Sequence, residues 1–227
     1  MAVPVLESIQ SSTSSGSSVS SLSMAVSSGI EAGDLVLIAI MSSSSSVTAS
    51  IDDTTYPGWT LSNQVGGATS GCYSALFWKK AGASESAVTV DLSGASYVCG
   101  FYVRVSGANA NNPIHAAVTE EELVSTFYHY PDPVTTTKTD CLIIVSSAHD
   151  GGDPANIFIN TVIFKEWKSH SVYSGTGSSN CCGILGYANL AAGGTSEAVT
   201  IITGNQGDSM AHITSAISPS LRRILIT

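Results

Sequence analysis

The residues of this chain best suited to chemistry are few. His149, Asp150 and Asp153 fall in AHDGGDPAN, a glycine-rich stretch whose carboxylates would offer oxygens to Ca²⁺ and whose imidazole would offer a nitrogen to a transition ion. The spacing matches no EF-hand or tandem calcium repeat, and Asp and Gly are also what an ordinary acidic turn uses for its backbone. The turn is the preferred reading, and whether residues 149–153 bind an ion stays open. Asp52 and Asp53 in SIDDTTYPGW would make one half of a glycosidase carboxylate pair, with the run Glu120, Glu121 and Glu122 as a source for the other. Adjacent aspartates before TTYPG are read more simply as a turn. No GxSxG elbow frames a serine nucleophile, and among so many serines a Ser/His/Asp combination means little.

Trp59, Trp78 and Trp167, with Tyr56, Tyr73, Tyr97 and Tyr102, could include a platform for sugar rings, because aromatic faces stack on apolar sugar surfaces. Trp59 follows Pro57 and Gly58 at a loop or strand start, and the plainer expectation is a ring packed over the end of a sandwich. Lys79 and Lys80 beside Trp78 add little to a case for anion binding. Cys72, Cys99, Cys141, Cys181 and Cys182 are odd in number and include no CxxC pair, so they are read as small buried apolar residues. On a strand, adjacent Cys181 and Cys182 point to opposite faces. No catalytic, cofactor-binding or metal-ligating residue is assigned, and no cofactor is expected.

The elements that must position these residues are strands. The chain has 227 residues, 43% hydrophobic and 11% charged, enough to bury a substantial core. Its net charge of −9 comes without a Lys/Arg cluster, which argues against nucleic acid as a partner. No apolar run is long enough to span a bilayer, and MAVPVLESIQSS has no basic region followed by an apolar one, so synthesis in a cytoplasm without a signal peptide is expected. VSSLSMAVSS alternates Leu22, Met24 and Val26 with Ser, the pattern of a strand with one dry face. DLVLIAIM is a continuous apolar run, the mark of a central strand covered on both sides. CYSALFWKKAG puts Tyr73, Ala75 and Phe77 on one face and Ser74, Leu76 and Trp78 on the other. AVTVDLSG and SYVCGFYVRVSG follow, with Gly, Ser and Asp turns between the runs. The serine tracts are read as exposed strand edges and loops. The one helical signal is TEEELVSTFYHY, where Thr119 or a Glu would cap a short turn.

A repeat organises these strands. Ala81, Gly82, Ala87, Val88, Thr89 and Val90 align with Ala192, Gly193, Ala198, Val199, Thr200 and Ile201 at a constant offset of 111 residues. GDLVLIA at Gly33 aligns with TDCLIIV at Thr139 at an offset of 106, and residues 99–105 fall opposite 210–216. Order is preserved through all three blocks. The expectation is an all-β, jelly-roll-like β-sandwich in one domain, built from two pseudo-repeated halves, roughly residues 19–108 and 133–219, that share one core. Residues 109–132 are the crossover. Any binding surface belongs where the halves differ: the serine-rich loops, the crossover from Thr119 to Pro133, and the HDGGD turn.

The order GDLVLIAI, PGWTLSN, YSALFWKKAGASES, VSGANANNPI and TTTKTDCLIIVSSA resembles a family of β-rich proteins encoded by tailed phages and prophages. Ser86 stands where that family often has proline, Val105 and Ser106 replace its aromatic turn, and Cys141 stands where Leu is common. The resemblance implies a non-enzymatic structural protein on the virion surface, made in the host cytoplasm. Capsid decoration or cement is the first expectation and a tail-associated position the second. Its implied partners are other virion proteins and further copies of itself, with neither nucleic acid nor membrane. The alternative is a carbohydrate- or receptor-binding adhesion module of a tail fibre, directed at a host surface glycan.

Overall fold

The computed structural model describes residues 2–66, 71–122, 127–150, 158–160, 167–174, 180–196, 199–202 and 209–220. These residues form strands and no helix. In chain order the first eight strands are β1 (Val5–Thr13), β2 (Val19–Met24), β3 (Leu35–Ser42), β4 (Ala49–Ser50), β5 (Thr60–Val65), β6 (Tyr73–Lys80), β7 (Val88–Ser96) and β8 (Val98–Ser106). Then come β9 (Ile114–Glu122), β10 (Tyr128–His129), β11 (Thr135–Thr136), β12 (Cys141–Asp150) and β13 (Phe158–Asn160). The last are β14 (Lys168–Tyr173), β15 (Cys181–Leu190), β16 (Gly194–Thr195), β17 (Thr200–Ile202) and β18 (Met210–Ile217).

The strands make an antiparallel sandwich of four layers. Two large sheets, ordered β1-β8-β3-β6-β5 and β14-β15-β12-β18-β9, pack against each other in the middle. A small sheet, β2-β7-β4, covers the outer face of the first, and β10-β17-β13, with the pair β11-β16, lies on the second. The layering follows from the two continuous apolar runs. Every residue of β3 is buried, and it sends Leu35, Leu37, Ala39 and Met41 into the shared interior and Val36, Ile38 and Ile40 to the outer layer. In β12, Leu142, Ile144 and Ala148 point inward while Cys141, Ile143 and Val145 point outward. The shared core expected from the sequence lies between the two large sheets, and it is not the only interior. Each half closes an interior of its own, and a further interior lies between the halves.

Replacing β1, β8, β3, β6 and β5 by β9, β18, β12, β15 and β14 turns one large sheet's order into the other's. The small sheets correspond likewise, β2, β7 and β4 with β10, β17 and β13. Across the middle, β3 lies on β12, β8 on β15, β6 on β18, β5 on β9 and β1 on β14, the reciprocal contacts a two-fold axis through β3 and β12 would generate.

Like faces match only when two of the sequence blocks shift by one residue. The alignment sets Leu35 against Cys141, but Leu35 faces the shared interior and Cys141 the outer layer. Leu142 is the residue that takes Leu35's place, and Ile217, paired with Leu142, takes that of Val105, paired with Leu35. Gly33 and Asp140 then coincide, and both have a left-handed backbone, φ 95° and 56°, just before the strand. Each donates its N–H across the sheet end, to Ala81 O at 2.9 Å and Ala191 O at 3.3 Å. Val88 and Val90 do match Val199 and Ile201 in facing outer-layer cores.

The helical turn expected from Thr119 is not formed, because Thr119–Glu122 completes the edge strand β9, paired with β18, and Tyr128–His129 is strand β10. The β-branched residues Ile114, Val118 and Thr119 suit that pleat. The segment expected as a crossover thus contributes strands, and the link between halves is the short stretch 107–113. It is pinned by the returning C-terminal segment, with Asn109 N donating to Ser218 O and Ser218 N to Pro113 O. Gly107, at φ 70°, sits there against the Val3 carbonyl with no room for a Cβ.

Ile144 lies in the shared interior at 1% exposure, so Ile144→Ala is expected to lower unfolding stability by about 2–5 kcal/mol, read from the denaturant midpoint.

Candidate functional site

The β9–β18 register places Glu122 opposite Met210, and the β12–β18 register places Ser147 opposite His212 and His149 opposite Met210. Side chains two residues apart share a face, so Ser147, His149, His212 and the end of β9 all meet on the outer face of the second large sheet. Strand β10 closes over them through His129, which pairs with Ile201 of β17. Five polar side chains, three of them imidazoles, are gathered beside the apolar cluster of Val145, Ile184, Ile201 and Met210.

Glu122 is the hub. Its Oε2 lies 2.9 Å from His129 Nδ1 and 3.3 Å from His212 Nε2, and it also accepts the Tyr130 N–H at 3.3 Å. His212 Nδ1 is 2.7 Å from Ser147 Oγ. The His129 ring meets His149 edge-on at 6.4 Å and His212 at 6.4 Å with a 54° tilt. His129, His149 and His212 are all buried, and the Glu122 side chain keeps 13% exposure. Burial by itself would raise the Glu122 pKa, but the hydrogen bonds and charge interactions with His129 and His212 outweigh it and hold the carboxyl at about 2. Burial lowers the His212 pKa against the opposing pull of Glu122.

One nitrogen is left over. His129 Nε2 is buried with no hydrogen-bond partner among the described residues, which costs on the order of 1–3 kcal/mol where nothing satisfies it. Glu122, His129 and His212 each present one ligand atom, and these atoms lie within 4.8 Å of one another.

The other sequence candidates have local roles. Asp52 accepts from Thr54 N at 3.0 Å and Thr55 Oγ1 at 2.6 Å, and Asp53 accepts from Gly58 N at 2.9 Å, so the pair builds the turn before β5. Glu120 accepts the Asp132 N–H at 2.8 Å, which fastens the segment after β10 to β9. Of the HDGGD turn, His149 and Asp150 end β12, and Asp153 lies outside the described residues. Trp59 meets Tyr102 edge-on at 5.9 Å over the first outer layer, as the packing reading expects. Trp78 and Tyr97 pack on the shared interior, Tyr56 on the first outer layer and Trp167 on the second. Tyr73 is buried and its hydroxyl accepts from Ala49 N at 2.9 Å. Tyr102 is also fully buried.

All five cysteines are free and buried. Cys181 and Cys182 do point to opposite faces, Cys181 into the shared interior and Cys182 into the outer layer. Cys99 and Cys181 bring their sulfurs within 3.4 Å across the middle of the molecule. Burial pushes the Cys181 thiol well up and the Cys182 thiol up to about 12.

Sequence reasoning assigned Glu122 only to a possible carboxylate pair and passed over His129 and His212. No short spacing could have shown them, since Glu122 and His129 belong to different strands, β9 and β10, and His212 is far along the chain. The available signal was coarser: the cluster draws on the crossover and on the strand that leads into the HDGGD turn, two of the regions in which the halves differ.

In the native protein none of the five thiols is expected to react with a disulfide reagent such as DTNB, and all five should react on denaturation. A fast-reacting thiol in the folded state would contradict the burial described. No family model, curated protein or solved structure matches this chain.

Proposed function

We propose that this chain is a non-enzymatic structural protein of a phage particle, exposed on the virion surface as a decoration or cement of the capsid, with a tail-associated position as the second placement. The motif order resembling phage and prophage β-rich proteins supports it. So does the strand order of the first half, β1-β8-β3-β6 against β2-β7-β4, which follows the jelly-roll pattern with β5 moved to the larger sheet. On this reading the two halves are pseudo-repeats, each a jelly roll stacked on the other.

The observation that carries the proposal is the molecular edge made by β1 and β14. The two edge strands lie side by side, one from each half, and a groove of about 410 Å³ runs beside them, lined by Val5, Leu6, Leu142, Trp167, Tyr187 and Asn189 among others. Val5, in its lining, stands 44% exposed, and Val3, two residues before it, 40%. Open strand edges beside exposed apolar side chains are what a neighbouring subunit covers, and on a particle that neighbour is another virion protein or a further copy.

A specific observation favours the adhesion reading as second. Phe127, Tyr128 and Tyr130, at 39%, 49% and 54% exposure, concentrate aromatic surface in one segment beside Glu122, suited to stacking on sugars.

Mass spectrometry of purified particles is expected to find the protein, and Val5→Asp to reduce its occupancy about tenfold or more with the fold retained. Absence from mature particles would overturn the proposal. On a glycan array, binding lost with Tyr130→Ala and kept in the folded protein otherwise would move the assignment to adhesion. Trp59→Ala is expected to act on stability instead, costing about 3 kcal/mol.

A further inference from the structure

We propose that Glu122, His129 and His212 bind a divalent first-row transition ion, with zinc the best fit, that fastens strand β10 and its sheet to the large sheet beneath. Two imidazoles and one carboxylate are a ligand set for zinc and its neighbours. Ca²⁺ and Mg²⁺ would require more oxygens than this pocket supplies, and no thiol belongs to the cluster to favour Cu(I).

The distances suit such an ion. Metal–ligand bonds of about 2.0–2.2 Å set neighbouring ligand atoms roughly 3–3.6 Å apart. Glu122 Oε2 already stands 2.9 Å from His129 Nδ1 and 3.3 Å from His212 Nε2, and the remaining separation is no more than 4.8 Å. A ligating histidine generally uses its second nitrogen to bind a supporting group that fixes the ring. Ser147 Oγ, 2.7 Å from His212 Nδ1, fills that role, and as the acceptor it leaves the Nε2 lone pair directed at the site. The partly exposed edge of Glu122 gives an entry path and room for a solvent ligand.

Two independent observations point to a ligand. The first is the convergence itself: ligand atoms from three strands, β9, β10 and β18, lie within 4.8 Å of one another, and both imidazoles are fully buried. The second comes from the other half. The strand registers place His212 where the first half has Gly100, Ser147 where it has Ile40, and His129 where it has Leu22. There the layer is sealed and apolar: Leu22 and Ile40 belong to its core, and a Cβ on Gly100 would come within 3.0 Å of Ile40 Cδ1 and 3.1 Å of Met24 Cε. The fold therefore closes this layer with hydrocarbon in one half and installs a carboxylate and imidazoles in the other. Polar groups buried where apolar ones would serve cost stability, and a bound cation is what recovers it.

The test uses the full chain stripped with a chelator, dialysed, and titrated with Co²⁺ and then Zn²⁺. One equivalent of Co²⁺ should give visible d–d absorption that Zn²⁺ displaces, and the thermal midpoint should rise with Zn²⁺ until one equivalent is bound. Glu122→Gln and His212→Gln should weaken binding by about 100-fold or more, and Ser147→Ala, which keeps all three ligands, by about 10–100-fold. His115→Ala, at the opposite end of β9 from Glu122, and His170→Ala, exposed on β14, should leave it unchanged. If the ligand variants fail to fold by circular dichroism, the Ser147→Ala result decides. No stoichiometric binding by the folded wild type overturns the proposal, as does binding that survives the loss of Glu122 or Ser147 and is lost with His115 or His170.

Discussion

The structure depends on β3 packed against β12. Both strands consist of residues that water does not reach, β3 along its whole length and β12 up to Asp150, and a strand of that kind must be covered on both faces. Each central strand can use the other as one cover. Each then needs a second, which the small outer sheets provide. Four layers and three interiors follow from that requirement, and the shared interior joins the two large sheets. Gly183 shows how closely it is filled, since a Cβ there would come within 3.0 Å of Cys99 Sγ and 3.2 Å of Met41 Sδ.

Against this frame the halves differ in one layer. In the first, the space between large and small sheet is filled by Leu22, Met24, Ile38, Ile40 and their neighbours. In the second, apolar filling by Val145, Ile184, Ile201 and Met210 adjoins a polar cluster centred on Glu122. Hydrocarbon needs only volume, whereas imidazoles and a carboxylate need defined partners at defined distances. The cluster thus sets the place of β10 more narrowly than packing would, and it lies next to the exposed Phe127, Tyr128 and Tyr130.

Much of the fold was legible in the chain. The continuous runs at Leu35 and Cys141 and the alternation through Tyr73–Trp78 report covering on both faces or on opposite sides, because side-chain direction along a strand has a period of two. The order of the three repeated blocks likewise follows the correspondence of strands. Their register did not. A one-residue slip sends every side chain of a strand to the other face, and in a run where both faces are apolar the pattern carries no penalty for the slip. Cys141 therefore looked equivalent to Leu35 until pairing with Ile217 identified Leu142. The strand at Thr119 was read as helix because three consecutive glutamates suit a helix start, and only the edge of β18 supplied a ladder for them.

The sequence by itself determined that the chain is a β-sandwich, which of its strands are central, and that its cysteines and most of its tryptophans are packing material, since each of these follows from local periodicity and side-chain chemistry. Tertiary structure alone decided that Glu122, His129, Ser147 and His212 meet. They come from four strands, β9, β10, β12 and β18, whose adjacency depends on antiparallel pairings between segments far apart in the chain and on a small sheet folding back over a large one. No local pattern encodes such long-range pairings, because the free energy that selects them resides in the interiors they enclose.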